Sequence, residues 1–217
     1  MLPLLAFDLD GTLIDSAQDI TTALNFVFTS YQKPILQKCE VIPYIGNGPR
    51  QLINQTFSSE NLDHAMINEL YQLFIDTYYQ VMLETTSLYP GVFDFLNQYK
   101  GPIGIITNKP IQPTRKILKH LGIDHFPWID IYGADSLSEK KPSPLPLKTM
   151  MKKANSEPRA SMMIGDGIPD MESGLNAGAK IIAVSYGYSE LDLLEKYQPN
   201  QILHQFKDLS TILEKMS

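Results

Sequence analysis

Short apolar runs that alternate with helical patterns constrain the fold of this chain more than any other feature. The runs are a few residues long and lack a regular polar alternation, which is typical of strands buried on both faces of a parallel sheet. They are Leu4–Phe7, Ile103–Thr107, Trp128–Tyr132, Met162–Gly165 and Ile181–Val184. The alternation of strands and helices predicts a doubly wound, Rossmann-like α/β fold with a parallel sheet.

The segments between the later runs carry helix start and stop signals. Pro90 and Gly91 precede an apolar helical pattern, which fits a helix start. Gly122 follows the pattern of Thr114–Leu121, as a glycine at a helix C-terminus does. Similar helical patterns cover Pro144–Lys153 and Met171–Ala177.

A long stretch between residues 16 and 88 interrupts this alternation. Its apolar residues recur at helical spacing, and proline and glycine punctuate the patterns. The helical patterns are Ile20–Phe28 and Leu70–Val81, and the punctuation is Pro34 and Gly46–Pro49. We predict an all-helical cap domain of residues 16–88, inserted into an α/β core domain of residues 1–15 and 89–217. The insert is a candidate lid, and the alternative is a helical excursion without functional movement.

The composition favours an ordinary globular protein and argues against some partners. Of 217 residues, 43% are apolar and 19% are charged, which is enough for a hydrophobic core. The net charge of −6 argues against binding to nucleic acid or to an anionic membrane, since both need a basic face. The positive charge that an anionic substrate needs must therefore come from a metal ion or from a few lysines.

The cysteine content and the N-terminal residues indicate the cellular compartment. Cys39 is the single cysteine, so an internal disulfide is impossible and a cysteine-based zinc site is not indicated. The first residues lack the positive region of a secretory signal, and no run approaches the roughly 18 apolar residues of a membrane helix. We predict a cytoplasmic protein, as a monomer or a homodimer.

Two pairs of aspartates follow two of the predicted strands. Asp8 and Asp10 come after the first run, and Asp166 and Asp170 come after the run that ends at Gly165. Ligands of α/β sheets bind at the carboxyl ends of the strands. Four carboxylates at that edge repel one another unless a cation lies between them, and ligands that are all oxygen suit Mg²⁺. Each pair taken alone has a second interpretation, as turn or helix-capping residues.

Other polar residues near predicted strand ends are suited to binding an anion. Thr107 ends one run with a hydroxyl, and the backbone N–H groups from Asn108 onward open a helix, where phosphate binds readily. The alternative for both residues is helix capping. Lys141 precedes Pro142 in a loop, although two adjacent lysines are usually solvated surface.

These four segments, in this order, resemble the motifs of the haloacid dehalogenase superfamily. The motifs are Asp8–Thr12, Thr107, Lys141 before a proline, and Gly165–Asp170. The resemblance covers essentially the whole chain. It implies that Asp8 attacks phosphorus to form an aspartyl-phosphate, and that Asp10 protonates the leaving oxygen and then activates water.

The same resemblance implies the remaining roles at the site. Mg²⁺ would be held by Asp8, the backbone carbonyl of Asp10, and Asp166, with Asp170 in or just behind the coordination shell. Three further residues are implied to bind or neutralise the phosphate: Thr107, the Asn108 backbone and Lys141. Lys140 is a rival for the lysine role, and the proline after Lys141 favours Lys141.

A loop inside the predicted cap resembles the cap loop of phosphoglycolate phosphatases. Gly46 and Asn47 would offer backbone N–H groups to the leaving group, and Arg50 would bind a substrate carboxylate. The alternative is a turn between helices with Arg50 on the surface. Ser143 departs from that subfamily, in which a histidine is expected at this position.

We therefore predict a phosphatase that acts on a small phosphorylated metabolite, with 2-phosphoglycolate as the leading substrate. One alternative is a β-phosphoglucomutase-like phosphotransferase, which returns the phosphoryl group to a sugar rather than to water. Another is a pyrophosphatase or nucleotidase, which would differ only in the contacts of the cap. The loop around Gly46 favours the phosphatase.

Overall fold

The computed structural model describes residues 2–58, 60 and 62–216. In this part of the chain the strands are β1 (Leu4–Phe7), β2 (Ile14–Asp15), β3 (Ser87–Leu88), β4 (Ile103–Ile106), β5 (Trp128–Tyr132), β6 (Ser161–Gly165), β7 (Lys180–Val184) and β8 (Gln201–Leu203). Six of them form one parallel sheet in the order β5-β4-β1-β6-β7-β8, and β2 pairs antiparallel with β3. This sheet confirms the predicted α/β fold class.

Helices cover both faces of the sheet and form the insert. They are α1 (Ala17–Ser30), α2 (Lys38–Val41), α3 (Pro49–Thr56), α4 (His64–Val81), α5 (Val92–Gln98), α6 (Ile111–His120), α7 (Leu145–Ala154), α8 (Ile168–Ala177), α9 (Leu191–Glu195) and α10 (Leu209–Lys215). Short 3₁₀ turns lie at Ile42–Tyr44, Pro158–Ala160 and Phe206–Asp208. None of the helices in the described residues is long and apolar enough to cross a membrane.

The first strand lies in the middle of the sheet and sets the position of the site. Leu5 and Phe7 belong to one hydrophobic cluster and Leu4 and Ala6 to another, because alternate side chains of a strand point to opposite faces. Phe7 is aligned with Ile105 of β4 and with Ile164 of β6. The carboxyl ends of these three strands therefore meet at one edge of the sheet. This is also the topological switch point, because β4 and β5 lie on one side of β1 and β6, β7 and β8 lie on the other.

The insert runs from α1 to α4 and is joined to the core through the β2–β3 pair. Ile14 is aligned with Leu88, so the segments that enter and leave the insert lie side by side. One hydrophobic cluster continues from Phe7 in the sheet into Val27 of α1 and Phe74 of α4. The insert from α1 to α4 is helical as expected, but the predicted range 16–88 also contains the strand β3 (Ser87–Leu88). The division of residues 16–88 from the core as a cap domain stays a prediction.

A buried carboxylate fastens the start of the insert to its end. Asp19, in the first turn of α1, is 1% exposed. Its oxygens accept hydrogen bonds from the backbone N–H groups of Thr85 and Thr86, both at 3.0 Å, and from both threonine hydroxyls. Four donors therefore satisfy the buried oxygens of this carboxylate, and no cation of the described residues pairs with it.

Candidate active site

Three strand ends bring polar side chains together at the edge of the sheet. Asp8 follows β1, Thr107 follows β4 and Asp166 follows β6, and all three side chains are buried. The Asp8 N–H donates to the Ile164 carbonyl at 2.9 Å, which continues the ladder into the site. Gly11 turns the chain here with φ +82°, and a Cβ at this position would lie 2.2 Å from Asp166 Oδ2. The turn after β1 therefore has room only for glycine.

A cluster of three buried carboxylates forms the floor of the site. Asp8, Asp166 and Asp170 each place one oxygen within 4.8 Å of the others. Burial and repulsion from Asp170 raise the pKa of Asp8 well above its usual value, and the same two causes raise the pKa of Asp166 to about 7. Like charges at this separation are stabilised by a cation, and oxygen ligands suit Mg²⁺.

Fixed donors orient the carboxylates of this cluster. The Thr12 hydroxyl donates to Asp166 Oδ1 at 3.0 Å, and the Tyr188 N–H donates to Asp166 Oδ2 at 2.8 Å. The Gly167 N–H donates to Asp170 Oδ2 at 2.9 Å. Sequence reasoning missed Thr12 and Tyr188 as support for the site. Thr12 lies within the first motif, whereas Tyr188 lies in the loop after β7 and carries no sequence pattern.

Lys141 is part of the cluster, and Lys140 is not. Lys141 Nζ lies 2.8 Å from Asp8 Oδ1 and 2.5 Å from Asp170 Oδ1. Burial favours the neutral amine, but Asp170 and Asp8 outweigh burial and raise the pKa of Lys141, so the side chain is charged. Lys140 Nζ instead donates to the Asn47 carbonyl at 2.7 Å, and burial lowers the pKa of Lys140.

The Asp10 side chain lies beside the cluster in a separate group of contacts. The Ser16 hydroxyl donates to Asp10 Oδ1, and Lys109 Nζ lies 2.9 Å from Asp10 Oδ2. Lys109 also donates to the Tyr78 hydroxyl of α4 at 2.9 Å. Burial opposes the charge of Lys109, but Asp10 and Tyr78 outweigh burial and raise the pKa of Lys109.

Sequence reasoning did not single out Ser16, Tyr78 or Lys109. Lys109 had a usable signal, because it directly follows Thr107 and Asn108 at the end of a buried strand. Tyr78 had none beyond its place in a helical pattern. Burial raises the pKa of Tyr78 to about 12, so its phenol stays protonated near neutral pH.

Asn108 joins the loop of the insert to the loop that carries Lys141. Its amide nitrogen donates to the Gly46 carbonyl at 3.0 Å and to the Lys141 carbonyl at 3.1 Å. Because carbonyls only accept, this amide orientation is fixed. Asn108 Oδ1 is buried and has no hydrogen-bond partner among the residues that the structure describes. The Thr107 hydroxyl accepts from the Lys109 N–H at 3.1 Å.

The structure brings part of the predicted cap loop to the site. Gly48, with φ +89°, packs so closely on the core that a Cβ would lie 2.8 Å from the Asn108 carbonyl oxygen. Asn47 contributes its carbonyl to Lys140. Arg50 is exposed and turns away: its guanidinium donates to Asn68 and stacks over Tyr71, 4.6 Å from the ring centroid.

A cleft lies between the insert and the edge of the sheet. It holds about 550 Å³ of space, open mouth included. Its polar lining consists of Asp8, Asp10, Thr107, Asn108, Lys109 and Tyr78, and its apolar lining includes Ile20, Tyr44, Ile45, Leu52, Phe74, Ile75, Pro110 and Pro113. A polar floor under apolar walls is typical of a small-molecule site.

Comparison with known proteins agrees with this geometry. A phosphoglycolate phosphatase from Psychrobacter arcticus is 34% identical, over 98% of this chain and 96% of its own length. One from Vibrio vulnificus is 32% identical over the same shares. The crystal structure of a predicted phosphoglycolate phosphatase from Haemophilus somnus superposes with a TM-score of 0.89 at 27% identity, and 97% of each chain is covered. The sequence model of the haloacid dehalogenase-like hydrolase family matches residues 5–184. The chain therefore belongs to the haloacid dehalogenase-like hydrolases.

Proposed function

We propose that this protein is a Mg²⁺-dependent phosphatase that hydrolyses a small phosphate monoester through an aspartyl-phosphate on Asp8, with 2-phosphoglycolate as the leading substrate. The observation that carries the proposal is the contact of Lys141 with Asp8 inside the buried acidic cluster, with Asp10 alongside. The relatives named phosphoglycolate phosphatase support the substrate.

The acidic cluster fits a divalent cation. Asp8, Asp166 and Asp170 offer three buried carboxylate oxygens within 4.8 Å of one another, and oxygen is the donor that Mg²⁺ prefers. These residues, with the backbone carbonyl of Asp10, would hold the ion. When bound, Mg²⁺ supplies positive charge that offsets the phosphate dianion and the Asp8 carboxylate.

The residues of the chain divide the chemistry between them. Lys141 offsets the charge of Asp8 and so lets a carboxylate approach a phosphate dianion. The Thr107 hydroxyl and the Asn108 N–H bind the phosphoryl oxygens. Asp8 attacks phosphorus as the bond to the leaving oxygen breaks, and Asp10 gives its proton to that oxygen.

Hydrolysis of the aspartyl-phosphate uses the same groups in reverse. Asp10 takes a proton from a water molecule, and the water oxygen attacks phosphorus. The bond from phosphorus to Asp8 breaks, which releases inorganic phosphate and restores the carboxylate. Ser16 and Lys109 hold the Asp10 carboxyl group in place for both steps.

A panel of phosphate esters with Mg²⁺ tests the proposal. Release of inorganic phosphate is followed with 2-phosphoglycolate, β-glucose 1-phosphate, pyrophosphate and a nucleoside monophosphate, with Asp8→Asn as the inactive control. We expect the highest kcat/KM with 2-phosphoglycolate. Conversion of glucose 1-phosphate to its 6-phosphate isomer without phosphate release would contradict the phosphatase function and favour the phosphotransferase. A preference for pyrophosphate or a nucleotide would contradict 2-phosphoglycolate as the substrate.

A further inference from the structure

An ammonium group lines the cleft. Among the described residues of the lining, Lys109 is the single cationic side chain. Lys141 is held against Asp8 and Asp170, Lys140 binds the Asn47 carbonyl, and Arg50 is turned toward Asn68. An anionic group that enters the cleft beside the phosphate therefore meets Lys109.

We propose that Lys109 binds the carboxylate of the leaving group, that Tyr78 of the insert positions its ammonium for this contact, and that this pair selects short phosphorylated carboxylic acids. The inference rests on the proposed function, because it assumes that Asp10 faces the leaving oxygen. It assigns the carboxylate contact to Lys109 instead of Arg50.

The position of Lys109 beside Asp10 fits a short carbon chain. Lys109 Nζ lies 2.9 Å from Asp10 Oδ2. A general acid lies about 2.6–3.2 Å from the oxygen that it protonates. In 2-phosphoglycolate three bonds, each about 1.5 Å or less, separate the leaving oxygen from a carboxylate oxygen, which places the two oxygens about 3 Å apart. A carboxylate on this short arm reaches the ammonium that contacts Asp10.

Lys109 has the donor capacity and the surroundings for this contact. An ammonium carries three N–H donors, and Asp10 and Tyr78 take two of them in the described contacts. The residue is 7% exposed, so little solvent weakens a further charge-assisted hydrogen bond.

Tyr78 fixes where the ammonium points. Its hydroxyl accepts from Lys109 at 2.9 Å, and its ring stacks on Phe74 with centroids 5.8 Å apart. Phe74 and Tyr78 both belong to α4 of the insert. The insert therefore contributes to selectivity through a residue that touches Lys109 and lines the cleft.

The test compares 2-phosphoglycolate with its neutral amide, 2-phosphoglycolamide, which has nearly the same shape. The variants are Lys109→Met and Tyr78→Phe. The matched controls are Lys116→Met and Tyr79→Phe. Lys116 lies on α6, which follows Lys109 in the chain, and its ammonium lies over the ring of Tyr79, the neighbour of Tyr78 on α4, outside the cleft. The measured quantity is the ratio of kcat/KM for the acid to kcat/KM for the amide.

We expect the wild type to favour the acid, and Lys109→Met to lower the ratio roughly 10- to 150-fold, the range for a lost charge-assisted hydrogen bond. Tyr78→Phe should lower the ratio several-fold, and both controls should leave it unchanged. If Lys109→Met slows hydrolysis of both esters equally and leaves the ratio unchanged, Lys109 only holds Asp10 in place. That result would overturn the inference. Collapse of the ratio in Arg50→Ala but not in Lys109→Met would overturn it too.

Failure of the inference is distinguishable from failure of the proposed function. A wild type that hydrolyses both esters without preference contradicts the inference alone. A wild type that hydrolyses neither contradicts the proposed function. Thermal unfolding of each variant identifies a misfolded protein, and the milder Tyr78→Phe keeps the test valid if Lys109→Met fails to fold.

Discussion

The contact of the cap loop with the core yields a sharp prediction, because a Cβ would collide with the core at one glycine of the loop and not at another. Gly46 and Gly48 both have positive φ, at +114° and +89°. A Cβ on Gly46 would meet nothing within 4 Å, whereas a Cβ on Gly48 would lie 2.8 Å from the Asn108 carbonyl oxygen. Gly46→Ala therefore adds backbone strain alone, and Gly48→Ala adds strain and a collision with the core.

The size of the effect follows from the contacts that hold the loop down. Alanine at either position costs about 1–3 kcal/mol of backbone strain, which is local to the loop. In Gly48→Ala the new Cβ must also move from 2.8 Å to the ordinary contact distance of 3.4 Å, a shift of about 0.6 Å. That shift strains the bonds from Asn108 to Gly46 and from Lys140 to Asn47. Losing both would cost about 1–3 kcal/mol, or roughly 5- to 150-fold in the occupancy of the closed loop.

The assay is phosphate release from 2-phosphoglycolate at substrate concentrations below KM. We expect kcat/KM of Gly48→Ala to fall at least 5-fold below that of Gly46→Ala, within the range above. Thermal unfolding of both variants separates a loss of activity from a loss of fold. Equal losses in the two variants would refute the reasoning, because close packing of the loop on Asn108 would then have no part in turnover.

Three further predictions concern the chemistry, the metal and the insert. Asp8→Asn should abolish turnover. Asp10→Asn should slow the phosphorylation of Asp8 by an alkyl ester roughly 10²–10⁴-fold. With p-nitrophenyl phosphate the same variant should give a fast burst of nitrophenol, because this leaving group hardly needs a proton. Chelator-treated protein should lose phosphate release and regain it with Mg²⁺, and Ca²⁺ should inhibit because its looser shell misdirects Asp8. Asp19→Ala should lower the free energy of unfolding in urea by about 2–5 kcal/mol, since the N–H and hydroxyl of buried Thr86 lose their acceptor along with those of exposed Thr85, whereas exposed Asp76→Ala should change it by less than about 0.5 kcal/mol.

Each of these predictions has a result that contradicts it. An equal slowing of the burst with both leaving groups would show that Asp10 is not the general acid. Full turnover in metal-free buffer would remove Mg²⁺ from the proposal. Unfolding energies that fall equally in Asp19→Ala and Asp76→Ala would mean that the buried carboxylate is no more important than a surface one.

The central sheet was predictable because its strands are buried on both faces. Leu4–Phe7 and Trp128–Tyr132 have the predicted bounds, and the other predicted strands differ by one residue at an end. The edge strand Gln201–Leu203 was missed, since three residues with Gln201 exposed do not form an apolar run. The two-residue strands β2 and β3 were too short to leave any pattern.

Residues that follow a strand directly were also predictable, and those that depend on helix packing were not. Asp8, Thr107 and Asp166 occupy their places because the register of the sheet aligns the strand ends. The contact of Lys109 with Tyr78 joins residues 31 positions apart and depends on how α4 packs over the core. The direction of Arg50 likewise depends on α4, whose Asn68 and Tyr71 hold the guanidinium away from the cleft.

The hydrophobic cluster that passes from Phe7 into Val27 and Phe74 makes the core and the insert one cooperative unit. Two parts with separate clusters would melt independently, whereas a shared cluster couples their stabilities. We therefore expect the insert to move only by tilting or sliding that keeps these side chains away from solvent. For the same reason, an insert taken from a relative would not fit this core unless the apolar residues that face each other between insert and core also match.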